Sequence, residues 1–176
     1  YDVVTVASAG SVHVGFEREF SFCHAEKGYQ SVRIGLKNLL GGHSGTEIDK
    51  NRCNAIKALA FILRGLQEEN IEFVLSQIKG GTADNAIASE AFADVVYKAK
   101  DEQKIASVLE QQKKEFEEVY GEIEKNVVFI FEKIDTPSDV LSTIDTKLLI
   151  ALLCVLHSGV YAMSQKVKGL PELSAN

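Results

Sequence analysis

The stretch GLKNLLGGHSGTEID, residues 35–49, joins a predicted strand to a predicted helix through a glycine turn that carries one histidine, His43. Apolar residues alternate with other residues before the turn, which is typical of a strand with one buried face. Ser44 and Glu47 have the spacing of a capping box, so the helix is predicted to begin at about Thr46. The turn would then place an imidazole beside free backbone N–H groups at a helix N-terminus, a setting suited to a developing negative charge.

Length and composition favour a single globular domain over residues 1–176. The chain has 176 residues, 45% of them apolar and 25% charged, which is enough for a substantial hydrophobic core. Its formal net charge of -6 argues against nucleic acid as a partner, because such binding needs a basic face that neutralises phosphates. The apolar run at 148–156 is much shorter than the roughly 20 residues of a membrane-spanning helix. It is predicted to be a buried helix, and no contact with a membrane is expected.

The start of the chain and its cysteines indicate a cellular compartment. The opening YDVVTVASAG lacks the cationic start of a signal peptide, and a chain that begins at Tyr1 rather than Met is expected to have been trimmed. Cys23, Cys53 and Cys154 are far apart in the sequence and lie among apolar neighbours. An odd number of cysteines in this arrangement favours reduced core thiols in a cytoplasmic protein over a disulfide framework.

The spacing of the apolar residues separates predicted strands from predicted helices. Strands are predicted, from alternating or continuous apolar residues, at 12–22, 29–38, 71–79, 90–98 and 126–134. Helices are predicted, from apolar residues three and four positions apart, at 46–68, 101–125 and 146–156. The first two strands are expected to pair as a hairpin, and the charged face of the second helix is interpreted as a solvated surface.

The order of these elements predicts an α+β fold. Between about residues 29 and 134 the order is strand, helix, strand, strand, helix, strand, which is the ferredoxin-like βαββαβ arrangement. Such a fold has an antiparallel sheet with both helices on one face. The N-terminal strand hairpin and the C-terminal helix are predicted additions to this core.

Residue spacing alone indicates neither a metal site nor a nucleophilic centre. The four histidines and three cysteines form no C-x-x-C, H-x-x-x-H or H-x-D pair, and the adjacent Cys23 and His24 would point to opposite faces of a strand. His43 and Ser44 are sequence neighbours, which is too common an arrangement to indicate nucleophilic catalysis. The glycine turn also lacks the lysine of a P-loop and the spacing of a dinucleotide fingerprint.

Two residues remain open to a functional or a local structural interpretation. His43 either takes part in a reaction or is only a polar turn residue. Asn85, in GGTADNAIASEAF, follows a glycine connection, where asparagine is most often a turn former. The other histidines, His13, His24 and His157, are predicted to be exposed or capping groups.

Four stretches, taken together, resemble one protein family. They are ASAGSVHVGF at 7–16, GLKNLLGGHSGTEID with NRCNAIKALA at 35–60, GGTADNAIASEAFA at 80–93, and HSGVYAMSQKVKGLPELSAN at 157–176. In this order they resemble the inserted lid, or dimerisation, domain of the aminoacyl-histidine dipeptidases, also called Xaa-His or cytosol non-specific dipeptidases. These enzymes belong to the zinc aminoacylase and carboxypeptidase superfamily of metallopeptidases.

The chain departs from the pattern of that family at three places. Ala88 and Ser89 stand where the family usually has a proline and a basic residue. Ala162 occupies a position that is often arginine, and the pair Leu39–Leu40 lengthens the segment before the double glycine by two residues.

The resemblance implies a site that is shared between two domains. In such enzymes two zinc ions lie in a separate catalytic domain, where a bridging water attacks the peptide carbonyl and a glutamate is the general base. The lid contributes a histidine, matched by His43, that stabilises the oxyanion, and an asparagine, matched by Asn85, that orients the substrate. Gly42 and Ser44, beside the histidine, are taken as further substrate-binding residues.

The same resemblance implies that this chain is an excised domain. It carries none of the zinc-ligand motifs, so it is expected to bind no metal and to have no peptidase activity by itself. Its expected partners are a dipeptide, the catalytic domain of the parent enzyme and a second copy, since these domains mediate homodimers. In several relatives the histidine acts across the dimer, so His43 is expected to act either in cis or in trans.

Two other functions remain compatible with the residues. One is a stand-alone ferredoxin-like regulatory module whose glycine turns bind a small anion. The other is a pure dimerisation domain, in which His43 would be dispensable.

Overall fold

A computed structural model describes residues 10–176, and residues 1–9, including the start of the ASAGSVHVGF stretch and the segment compared with a signal peptide, lie outside it. The strands are β1 (Phe22–His24), β2 (Tyr29–Lys37), β3 (Gly42–His43), β4 (Phe73–Gly80), β5 (Ala86–Ile87), β6 (Ala91–Lys98), β7 (Val128–Ile134), β8 (Asp139–Leu141), β9 (Gly159–Met163) and β10 (Pro171–Ala175). The helices are α1 (Ala55–Glu68), α2 (Glu102–Tyr120) and α3 (Thr143–Val155).

The main sheet confirms the predicted ferredoxin-like α+β fold. Its four antiparallel strands lie in the order β4-β6-β2-β7, with α1 between β2 and β4 in sequence and α2 between β6 and β7. Ile34 of the central strand β2 lies opposite Ala93 of β6 on one side and opposite Phe131 of β7 on the other. The predicted C-terminal helix is also present, as α3, but it is not buried as expected, since Leu148 is 41% and Val155 78% exposed.

The hydrophobic core lies between this sheet and the two helices α1 and α2. Alternate residues of β2 point into it because side chains change face at every position of a strand. Leu59 and Leu63 of α1 are fully buried against them. From α2 comes Phe116, whose ring packs edge-to-face on Phe129 of β7 with centroids 5.3 Å apart. The described residues share this one core, although the boundaries of the predicted single domain stay a prediction.

The predicted start of the first helix was wrong. Helix α1 begins at Ala55, because the side chain of Asn54 accepts hydrogen bonds from the backbone N–H groups of Ile56 and Lys57 at 2.9 and 3.4 Å. Glu47 accepts a hydrogen bond from the His43 N–H group at 3.0 Å and so closes a turn rather than a helix. The predicted capping box is not formed, because in it Glu47 would accept from the Ser44 N–H, which donates instead to the carbonyl oxygen of Asn85.

The predicted N-terminal hairpin was also wrong. Residues 10–21 form no strand, and β1 pairs with β8, so that Cys23 lies opposite Val140. The physical reason is that both edges of β2 are already occupied, one by β6 and the other by β7. This placement leaves Cys23 exposed rather than in the core, whereas Cys53 is buried as predicted.

Three short pairings were not predicted from the sequence. They are β1 with β8, the antiparallel pair β9 and β10 near the C-terminal end, and the two-residue strands β3 and β5. Among residues 10–176, no helix is long and apolar enough to cross a membrane. The β3–β5 pair is the most important of these pairings for function because it contains the candidate histidine.

Candidate functional site

The β3–β5 ribbon brings together the two residues that the sequence singled out. Gly42 lies opposite Ile87, and His43 lies opposite Ala86. The backbone N–H of Ser44 then donates to the carbonyl oxygen of Asn85 at 2.9 Å. His43 and Asn85 are therefore close neighbours at one end of the ribbon, and both are exposed to solvent.

The hydrogen bonding of His43 determines which ring nitrogen carries the proton in the neutral imidazole. Nδ1 accepts a hydrogen bond from the backbone N–H of Gly45 at 3.0 Å. A neutral imidazole has one donor and one acceptor nitrogen, so the proton is on Nε2 when Nδ1 accepts. The ring therefore offers an N–H donor to a ligand without a change in its protonation.

The helix N-terminus that the sequence predicted beside His43 is not formed. The backbone N–H groups of Thr46 and Glu47 both donate to the carbonyl oxygen of His43, at 3.3 and 2.9 Å. These donors are thus already used within the turn. The imidazole itself, rather than a set of free backbone amides, is the group of this turn that can meet a negative charge.

An ion pair between Glu47 and Arg52, called the brace below, stabilises the turn from inside. One oxygen of the Glu47 carboxylate accepts from the His43 N–H, and the other lies 2.6 Å from Nη2 of Arg52. Arg52 also donates from Nη1 to the carbonyl oxygen of Gly41 at 2.7 Å. The backbone hydrogen bond from His43, with Lys50 and Arg52 nearby, lowers the pKa of the Glu47 carboxyl, so the brace keeps its charge at neutral pH.

Gly42 is needed for the shape of this turn. Its φ of +124° lies in the region that residues with a Cβ rarely adopt. A Cβ built at this position would also collide with Nη1 of Arg52 and with the carboxylate of Glu47. The glycine therefore leaves room for the brace, a structural role that is separate from the substrate-binding role predicted for it.

A buried carboxylate closes the loop that contains His43. Glu124 lies in the turn that follows α2 and is 1% exposed. Its carboxylate accepts hydrogen bonds from the backbone N–H of Leu40 at 2.8 Å and from that of Cys53 at 3.0 Å. The interpretation of the charged residues at 101–125 as a solvated surface was wrong at this position. No local signal distinguishes Glu124 from its glutamate-rich neighbours, because both of its partners are distant in the sequence.

The cysteine beside this carboxylate is unsuited to nucleophilic catalysis. Burial, together with the negative charge of Glu124, raises the pKa of the Cys53 thiol to about 12. A thiol must be deprotonated to attack a carbonyl group, so Cys53 remains in its unreactive form at neutral pH. Its part in the site is structural, through its backbone N–H.

A second set of polar contacts supports β5. The side-chain amide of Asn176 donates to the carbonyl oxygen of Ala86 at 2.8 Å, and its Oδ1 accepts from the side-chain amide of Asn54 at 3.2 Å. The same amide of Asn54 lies 3.1 Å from Oγ of Ser158. The residue that caps α1 is thus connected, through Asn176, to the strand of the candidate site that follows Asn85.

The described residues do not provide a metal centre. Across residues 10–176, no three side chains of His, Cys, Asp or Glu lie close enough together to hold a metal ion. Next to Asn85 in the sequence, Asp84 forms a contact with one other potential metal ligand, His13. The Oδ2 atom of Asp84 lies 3.3 Å from Nδ1 of His13, on the exposed surface. Metal chemistry at this site would therefore need ligands from outside the described part of the chain.

Comparisons with known proteins agree with the resemblance in the sequence. The profile of the peptidase dimerisation domain matches residues 34–124. The cytosol non-specific dipeptidase of Escherichia coli (strain K12) is 32% identical over 149 residues, which are 85% of this chain and 30% of that protein. The crystal structure of aminoacylhistidine dipeptidase from Vibrio alginolyticus superimposes with a TM-score of 0.85 at 31% identity, covering 89% of this chain and 32% of that one. The chain therefore spans about a third of the length of these relatives, and the resemblance to this family is confirmed.

Proposed function

Because this chain belongs to the peptidase dimerisation domain family, we propose that it is the lid domain of a cytoplasmic di-zinc dipeptidase that hydrolyses Xaa-His and other short peptides. In this proposal His43 stabilises the oxyanion of the tetrahedral intermediate and Asn85 orients the substrate. Gly42 and Ser44 complete the substrate-binding turn. The observation that carries the proposal is the pairing of β3 with β5, which makes His43 and Asn85 neighbours on an exposed edge.

The geometry of the turn suits the proposed role of His43. As a peptide carbonyl is attacked, its oxygen gains negative charge, and a donor that is already in place stabilises this charge without a cost of reorganisation. The Gly45 N–H holds Nδ1 as an acceptor, so Nε2–H is the donor. The amide of Asn85, one ribbon position away, can orient the substrate by hydrogen bonds to its polar groups.

The proposal assigns the metal chemistry to a part of the parent enzyme outside this chain. Two zinc ions, bound there, would activate the attacking water and polarise the scissile carbonyl. The residues described here offer no metal cluster, so they are given only binding and orienting roles.

The purified 176-residue chain is expected to show no hydrolysis of an Xaa-His dipeptide, with or without added zinc. The reason is that it would hold the oxyanion donor without the metal-bound nucleophile. The measurement is release of free histidine by the chain and, as the positive control, by the parent enzyme at equal molar concentration. Turnover by the chain alone would overturn the division of roles between the two domains.

We also propose that β7 forms the contact between two copies in a homodimer. The outer edge of β4 is covered where the backbone N–H of Leu75 donates to Oγ1 of Thr146 in α3, at 3.2 Å. In the described structure β7 pairs with β2 on one side only, and it carries exposed apolar residues, with Val128 40% and Phe131 43% exposed. A strand with one open edge is the usual place for pairing with another chain.

The double substitution Val128→Lys with Phe131→Lys is expected to convert the dimer to a monomer. It places like charges on each of the two facing strands, which disfavours strand pairing. Sedimentation equilibrium gives the mass of each variant. The matched control is Ile144→Lys with Val155→Lys on α3, where both residues are 78% exposed. A dimer that survives the β7 substitution, or is lost only in the control, would contradict the assignment of β7.

A further inference from the structure

Glu124 is a buried carboxylate that is held by backbone groups rather than by a cation. It is 1% exposed, and the ion pairs formed within residues 10–176 do not include it. Its Oε2 accepts the Leu40 N–H and its Oε1 accepts the Cys53 N–H. A buried carboxylate is costly to desolvate, so these two charge-assisted hydrogen bonds are what keep it in place.

The two partners of Glu124 are the two ends of the segment that contains His43. Leu40 precedes the double glycine, and Cys53 precedes the cap of α1. Between them, the brace of Glu47 and Arg52 fixes the inside of the turn. One side chain from the turn that follows α2 therefore holds the two ends of segment 40–53 together.

The two ends of this segment are connected to His43 by hydrogen bonds and an ion pair. Gly41 follows Leu40 directly, and its carbonyl oxygen accepts from Arg52, which itself precedes Cys53. Arg52 pairs with Glu47, and Glu47 accepts from the His43 backbone. A displacement of Leu40 or Cys53 would thus be transmitted to the backbone of His43 through three successive contacts.

We propose that Glu124 is a positioning residue that sets the location of His43 for catalysis. The inference rests on the proposed function, because it assumes that His43 meets the oxyanion. Glu124 touches neither substrate nor metal in this scheme. It acts only by holding both ends of segment 40–53, and a misplacement of about 1 Å at a catalytic group can cost on the order of a hundredfold in rate.

Glu124→Gln is the most informative substitution. Glutamine keeps the shape of the side chain, but it replaces one acceptor oxygen with an NH2 group that faces a backbone N–H donor. One end of the segment should then be released while the packing around the side chain is retained. In the parent enzyme we expect kcat to fall about tenfold or more, with KM changed less than about threefold, since the donor acts in the transition state. Glu124→Asp, which keeps both acceptor oxygens, is expected to recover part of this loss.

A double-mutant cycle with His43→Ala separates positioning from general destabilisation. If Glu124 acts through His43, the double variant His43→Ala with Glu124→Gln should have the same kcat as His43→Ala alone. The control is Glu122→Gln, an exposed residue of the same turn, which should leave kcat unchanged. Circular dichroism and zinc content establish that each variant is folded and loaded, and Glu124→Asp replaces Glu124→Gln in the cycle if the latter does not fold.

The possible outcomes distinguish the inference from the function on which it rests. If His43→Ala leaves kcat unchanged, the proposed function fails. If His43→Ala lowers kcat but the Glu124 variant is neutral, or its effect multiplies with that of His43→Ala, only the positioning role fails. Loss of kcat in the Glu124 variant that disappears in the His43→Ala background supports the inference.

Discussion

Replacing His43 with alanine in the parent dipeptidase is expected to lower kcat by on the order of a hundredfold or more, with little change in KM. Removal of one preorganised donor leaves the developing oxyanion less stable, while the ground-state substrate keeps its other contacts. In the proposed function the Nε2–H group of His43 is that donor, because Nδ1 accepts from the Gly45 N–H. Steady-state rates on an Xaa-His dipeptide, measured over a range of substrate concentrations, give kcat and KM separately.

The matched control for this variant is His24→Ala. His24 is also an exposed histidine, and its Nδ1 lies 3.3 Å from Asp139 on β8, in a pairing separate from the β3–β5 ribbon. Its replacement should leave kcat unchanged. Near-normal turnover by His43→Ala would remove the catalytic assignment and favour a domain that serves only dimerisation.

The second large effect concerns stability. Leu63→Ala is expected to lower the free energy of unfolding by about 2–5 kcal/mol, because it removes a fully buried side chain of α1 and leaves a cavity beneath the sheet. Urea-induced unfolding followed by circular dichroism gives this free energy. Phe61→Ala, two residues away on the same helix and half exposed, should cost clearly less. Equal losses in the two variants would contradict the placement of the core on the Leu63 face of α1.

The core of the fold was predictable because its patterns are local. In β2, apolar residues such as Ile34 recur at every second position, which is the period of a strand. In α1, Leu59 and Leu63 have helical spacing, and both predicted elements formed. The strand predicted at 12–22 shows where such reasoning ends. Its alternation is equally regular, but strand pairing needs a partner with an open edge, and β2 had none left.

The candidate site was predictable only in part. His43 and Asn85 were identified from a glycine turn, an asparagine stretch and the resemblance of both to one family. Their proximity could not be predicted, because it depends on strands of two residues each, which are too short for a recognisable period. Glu124 was missed for the opposite reason, since its contacts join residues that are 84 and 71 positions apart.

The large sequence separation between Glu124 and its two partners also affects when the segment around His43 can be completed during synthesis. Leu40 is translated 84 residues before Glu124, so at roughly 5–20 residues per second it precedes its acceptor by about 4–17 s. Until Glu124 has been synthesised, the amides at both ends of the segment lack this acceptor. The cap of α1, Asn54, in contrast lies next to the helix that it starts. The segment that positions His43 in the proposed function can therefore be completed only after the chain has been translated through Glu124.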